Sequence, residues 1–87
     1  MGNNFTNSGW EEYISWQSVD KKTLKKINKI LEDIPRNGYE GIGKPEPLTG
    51  DRQGWWSRRI DQKNRIIYKI LENGDIVISG CRGHYDD

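Results

Sequence analysis

Between residues 38 and 54 the chain carries five glycines (38, 41, 43, 50 and 54) and two prolines (45 and 47), and the hydrophobic period differs on its two sides. So many breakers cannot form a regular element, and they divide the chain into a helical part and a strand part. Before the break, Leu24, Ile27, Leu31 and Ile34 recur at spacings of three and four, the period of one helix face. Asp20 is the expected cap, and Pro35 with Gly38 beyond it the expected stop. A shorter helix is expected ahead of it, ending near Ser18. Ser8 and Glu11 fit a capping box there, and Trp10, Tyr13, Ile14 and Gln17 fall on one face. The two helices would form an antiparallel pair.

After the break the period becomes two. Trp56, Arg58 and Ile60 alternate with Trp55, Ser57 and Arg59. Beyond the polar turn 61–64, Ile66, Tyr68 and Ile70 alternate with Arg65, Ile67 and Lys69. Asn73-Gly74 is a hairpin signal, and a third strand follows from Ile76 to about Arg82. Residues 3–7 could add an edge strand, with only Phe5 to bury. The expected fold is α+β, with two N-terminal helices packed on a twisted antiparallel sheet of three to four strands. The length of 87 residues sets one domain as the expectation.

Charge narrows the function by its distribution rather than its total. Fourteen basic and thirteen acidic residues leave a net charge of +1, which argues neither for nor against nucleic acid. Residues 1–20 hold no Lys or Arg, residues 21–29 hold five Lys, and residues 52–69 hold six basic side chains against Asp61 alone. A basic helix and a basic hairpin result. One Cys and one His exclude an intramolecular disulfide and a Cys/His zinc site within one chain. Cys81 reads as a small packing residue. No apolar run is long enough to span a membrane. The N-terminus lacks a secretory pattern, so a cytoplasmic protein with no membrane partner is expected.

Three groups of residues could carry chemistry. Glu46 lies between Pro45 and Pro47, which stiffen the backbone on both sides of it. A carboxylate so held suits a general base, although taken alone an exposed loop glutamate is the simpler reading. Arg58 and Arg59, with Arg65 across the turn, offer planar donor forks that match phosphate oxygens. A solvated strand face is the alternative. His84 could act as acid or base near neutral pH, and Tyr85 could stack on a base of single-stranded RNA. A lone terminal histidine is otherwise a surface residue. Together these parts suffice for attack of a ribose 2′-hydroxyl on the adjacent phosphate. One group removes a proton, one holds charge and one protonates the leaving oxygen, and no cofactor or metal is called for.

At this point the chain resembles a known family, the YoeB/Txe toxins of the RelE/ParE superfamily. The matching segments are Trp10-Glu11-Glu12-Tyr13 with Trp16-Gln17, Asp20-Lys21-Lys22 into Lys25-Lys26-Ile27-Asn28, and Gly41-Ile42-Gly43-Lys44-Pro45-Glu46-Pro47-Leu48. Trp56-Ser57-Arg58-Arg59-Ile60, Asn64-Arg65-Ile66-Ile67-Tyr68 and His84-Tyr85 complete them in order over about residues 8–85. The resemblance implies a RelE-like fold, similar to that of microbial ribonucleases. It implies a toxin held inactive by a YefM-like antitoxin, which cleaves messenger RNA in the ribosomal A site and touches operator DNA only as the toxin–antitoxin complex. A homodimer is also implied. Carried over by motif, Glu46 would be general base, His84 general acid and Arg65 the phosphate stabiliser. Lys44 and Arg59 would bind the RNA backbone, with Arg58 grouped beside them, and Tyr85 would orient a base. The lysines of the second helix would be either a solvated face or a ribosomal RNA contact. Thr49 stands where relatives often carry Lys, Asp86 and Asp87 follow the usual terminal His-Tyr, and the first strand is Asn-rich instead of apolar. Two other functions fit the same family outline: a catalytically faded binding module that acts as antitoxin partner and co-repressor, and a gyrase inhibitor of the ParE branch.

Overall fold

The computed structural model describes residues 3–83. Strand β1 (Asn3–Phe5) leads into helix α1 (Asn7–Ser15), a 3-10 turn (Trp16–Ser18) and helix α2 (Lys21–Asn37). Then come β2 (Glu46–Pro47), a second 3-10 turn (Gly50–Arg52), β3 (Trp56–Arg59), β4 (Arg65–Ile70) and β5 (Ile76–Gly80). The strands form one sheet in the order β1-β5-β4-β3-β2. The α+β expectation holds, but the sheet has five strands and is mixed, because β1 runs parallel to β5.

α2 forms where the periodicity places it. The Asp20 carboxylate accepts from the N–H groups of Lys22 and Thr23, which satisfies two of the orphan donors at a helix start. Ile27, Ile30, Leu31 and Ile34 are buried against Ile66, Tyr68, Ile76 and Ile78 of the sheet. Each such side chain contributes about 1.5–3 kcal/mol. Pro35 does not stop the helix, which continues to Asn37 and ends at Gly38 with φ 63°. A proline here removes one backbone bond and crowds the carbonyl one turn back, yet the helix runs two residues further, so the positive-φ glycine is the terminator.

α1 departs further from expectation. Thr6, not Ser8, is its cap, with its hydroxyl accepting from Gly9 N–H at 3.1 Å. Its buried positions are Gly9 and, at its end, Trp16, whereas Trp10 and Ile14 are 50% and 40% exposed. The helix lies on β5, and a Cβ on Gly9 would come within 2.4 Å of the Ile78 carbonyl oxygen. A pattern of apolar residues cannot show a face whose centre is a glycine. The two helices are tied by the Tyr13 hydroxyl and Asn28 Oδ1 at 2.7 Å. β1 replaces apolar burial with amides. Asn3 Nδ2 donates to the Leu31 carbonyl at 2.9 Å, and Asn4 Nδ2 to that of Ile76 at 3.3 Å.

Candidate functional site

The sheet has two faces of different character. Directly opposed residues share a face, as do residues two apart along a strand. Trp56 opposes Tyr68 and Arg58 opposes Ile66, and this set faces the helices. The other set contains Glu46 opposite Ser57, Ser57 opposite Ile67, and Arg59 opposite Arg65. Glu46 thus lies one row from the arginine pair, a separation of about 7 Å along the strands.

Arg58 belongs to the first set, and this corrects its grouping with the RNA-binding residues. It has no exposed surface. Its Nη1 donates to Asp33 Oδ2 at 2.5 Å and to the Ile42 carbonyl at 3.1 Å. Nη2 donates to the carbonyls of Gly38 at 2.8 Å and Glu40 at 2.6 Å, and Nε to the Tyr68 hydroxyl at 3.1 Å. All five guanidinium donors are consumed, so none remains for phosphate. What Arg58 does instead is fold the glycine-rich segment. The Gly38, Glu40 and Ile42 carbonyls there lie outside any strand, and the guanidinium supplies donors to all three. Gly41, with φ 104°, lets that backbone pass the ion pair, since a Cβ would sit 2.1 Å from Asp33 Oδ2. The Arg58 guanidinium and its hydrogen bond hold the Asp33 carboxyl below the usual carboxylate range.

The end of that segment delivers Glu46. The Gly43 carbonyl accepts from Arg59 N–H at 2.6 Å. Lys44 follows with φ 49°, the one left-handed residue other than glycine among the described residues. Pro45 and Pro47 then flank Glu46, which is exposed on β2 instead of in an irregular loop. The ladder continues as Leu48 N–H donates to the Trp55 carbonyl at 2.8 Å.

Arg59 is exposed and Arg65 half-buried. Like charges directly opposed across two strands repel, and among the described residues the one ion pair is that of Arg58 with Asp33. Arg65 Nη1 donates to the carbonyls of Asp61 at 2.5 Å and Asn64 at 3.0 Å, which aims the guanidinium, and its charge helps to hold the Asp61 carboxyl low without a salt bridge between them. Beside this row lies a groove of about 440 Å³ lined by Asp51, Arg52, Trp55, Ile67 and Ser79. Lys69 Nζ sits 4.5 Å from the centre of the Trp55 ring, a cation–π contact. The motif reading missed this groove, although the alternation already set Trp55 on the face of Ser57 and Arg59. His84 and Tyr85 lie outside the described residues, as do Asp86 and Asp87. Cys81 is fully buried just past β5, and burial, reinforced by the Glu12 charge, pushes its thiol up to about 12. The five lysines 21, 22, 25, 26 and 29 are all exposed on α2. No helix among the described residues is long and apolar enough to cross a membrane.

The two-helix, five-strand α+β architecture is that of a class of compact toxins. The model of the YoeB-like toxins of bacterial type II toxin–antitoxin systems matches residues 5–85, and the chain belongs to that family. It is 48% identical to toxin YoeB of Streptomyces coelicolor over 81 residues, covering 93% of this chain and 95% of that one. A solved YoeB/ParE toxin from Agrobacterium tumefaciens superposes with a TM-score of 0.93 at 38% identity, covering 98% of this chain and 100% of that one. The toxin of a heterotetrameric YoeB–YefM complex from Staphylococcus aureus superposes at 0.87 with 43% identity, covering 98% of each chain.

Proposed function

We propose that this toxin is an endoribonuclease that cuts messenger RNA in the ribosomal A site by metal-independent transesterification, and so inhibits translation. The observation that carries the reading is the arginine pair Arg59–Arg65 on the sheet face away from the helices, one row from Glu46 and in no salt bridge with an acid among the described residues. A scissile phosphate held by that pair brings the neighbouring ribose toward Glu46.

Glu46 takes the proton of the 2′-hydroxyl, and the 2′-oxygen attacks phosphorus. The phosphorane gains a negative charge, which Arg65 stabilises more strongly than the ground state. Arg59 and Lys44 hold the flanking backbone. The bond to the 5′-oxygen breaks, and His84 gives that oxygen its proton. The products are a 2′,3′-cyclic phosphate and a 5′-hydroxyl. Tyr85 orients a base by stacking. The lysines of α2 lie away from this chemistry and suit ribosomal RNA, where an anionic partner relieves their mutual repulsion. A YefM-like antitoxin blocks the site, operator DNA is bound only by the toxin–antitoxin complex, and a homodimer is the free form. Relatives crystallised with YefM support the antitoxin partner.

The test is cleavage of a defined messenger in a purified translation system. A single cut at the A-site codon, resistant to chelator and slowed by orders of magnitude in Glu46→Ala and His84→Ala, is expected. Absence of cleavage by the unmodified chain, with antitoxin binding intact, would move the reading to a binding module.

A further inference from the structure

The three residues that precede His84 are clamped from two directions by side chains that the chemistry above does not use. Glu12 Oε1, on α1, accepts from Cys81 N–H at 2.9 Å and from Arg82 N–H at 3.0 Å. The Cys81 carbonyl accepts from Trp16 Nε1 at 3.0 Å. Asn64 Oδ1, in the β3–β4 turn, accepts from Gly83 N–H at 2.8 Å, and the Gly83 carbonyl accepts from Arg65 N–H at 3.0 Å. Arg82 folds away, donating to Ser15 Oγ at 2.8 Å and lying over the Trp16 ring at 5.0 Å. Chain beyond the last strand ordinarily frays. Here every backbone polar group of Cys81 and Gly83 is bonded to another element.

The partner on the turn side is the residue next to Arg65. Asn64 Nδ2 and N–H both bind the Asp61 carboxylate, at 2.8–3.2 Å, and its carbonyl accepts from Arg65 Nη1. One short ring of hydrogen bonds therefore fixes the Arg65 guanidinium and the chain at Gly83 relative to each other.

We infer that Glu12 and Asn64 are positioning residues that fix the chain at Cys81–Gly83 relative to Arg65 and act on the reaction through the next residue, His84. The inference rests on the proposed acid role of His84. Displacement of about 1 Å at a reacting group costs on the order of 10²-fold in rate, so single hydrogen bonds at this place carry more weight than their stability.

The test is single-turnover cleavage on programmed ribosomes at saturating toxin, with ribosome affinity and thermal unfolding measured in parallel. Asn64→Ala keeps the backbone carbonyl that aims Arg65 and removes only the amide. It is expected to lower the cleavage rate tenfold or more with affinity unchanged, and to lower it less than twofold when His84→Ala is already present. Glu12→Ala is expected to behave alike, whereas Glu12→Gln, whose amide oxygen still accepts both N–H groups, keeps the rate of the unmodified chain. If Asn64→Ala does not fold, the Glu12→Ala and Glu12→Gln pair makes the same comparison. Full rates in both alanine variants, or equal losses with and without His84, overturn the inference and leave the endoribonuclease reading standing. An unchanged rate in His84→Ala overturns that reading, and this inference with it.

Discussion

Replacing Arg58 by Met separates a folding role from an RNA-binding one. The substitution keeps an unbranched apolar stem in a site with no exposed surface and removes five donors. The Gly38 carbonyl keeps the Tyr68 hydroxyl at 2.9 Å, and Asp33 keeps Asn37 and the Ile42 N–H. Among the described residues the Glu40 and Ile42 carbonyls keep no side-chain donor, and Asp33, 17% exposed, keeps its charge without a counterion. Breaking a buried pair from one side costs about 3–5 kcal/mol. For a domain of this size that lowers the melting temperature by roughly 12–40 °C, and total stabilities are only about 5–15 kcal/mol. Urea unfolding followed by tryptophan fluorescence measures the loss. A second variant, Arg58→Met with Asp33→Leu, is expected to be no less stable than the first, because the stranded carboxylate has gone. A loss under 1 kcal/mol in Arg58→Met, with ribosome binding weakened instead, would refute the reasoning and restore Arg58 to the RNA-contacting set.

Three further outcomes follow from the same structure. The Asp33 carboxyl is held low by Arg58 in the folded state, so its contribution to stability is complete above the unfolded value of about 3.9 and is lost as pH falls through the folded value; Asp33→Asn should lower stability at pH 7 and flatten the acid limb of a melting-temperature profile, with Asp20 and Asp61, whose carboxyls are also held low, supplying the remaining slope. Lys44→Gly relieves a left-handed lysine, so stability should stay within about 1 kcal/mol of the unmodified chain, while loss of the charge weakens binding to a messenger oligonucleotide and its salt dependence. Gly9→Ala improves helix propensity but drives a Cβ into the Ile78 carbonyl; overpacking wins, with about 1–3 kcal/mol lost in urea unfolding.

What could be read from the sequence depended on whether the governing signal was apolar. α2 was legible because four isoleucines and leucines mark its buried face and Asp20 its cap. β3, β4 and β5 were legible from their alternation. β2 was not, because two residues between prolines give no period and pair only through their backbone with Ser57 and Trp56. The face of α1 was misread because Gly9 makes its closest approach. Arg58 holds the sharpest lesson: the alternation already grouped it with Trp56 and Ile60, on the inward face, but the Arg-Arg pair read as one phosphate-binding unit. Adjacent strand residues point to opposite faces, so Arg58 and Arg59 were never equivalent. The half-buried acid that requires Arg58 is 25 positions away, beyond any local pattern. The Asn-rich first strand was expected weakly because its support comes from amide side chains reaching Leu31 and Ile76, which hydrophobicity does not register.

The most direct measurement on the central claim is cleavage of an A-site messenger that carries a single 2′-deoxy nucleotide at the scissile position, in the presence of chelator. The account predicts that the all-ribose messenger is cut to a 2′,3′-cyclic phosphate and a 5′-hydroxyl, and that the deoxy substitution abolishes the cut. Cleavage of the deoxy messenger at an undiminished rate, or a product with a 5′-phosphate, would contradict the attack by the 2′-hydroxyl that Glu46, Arg65 and His84 are proposed to serve.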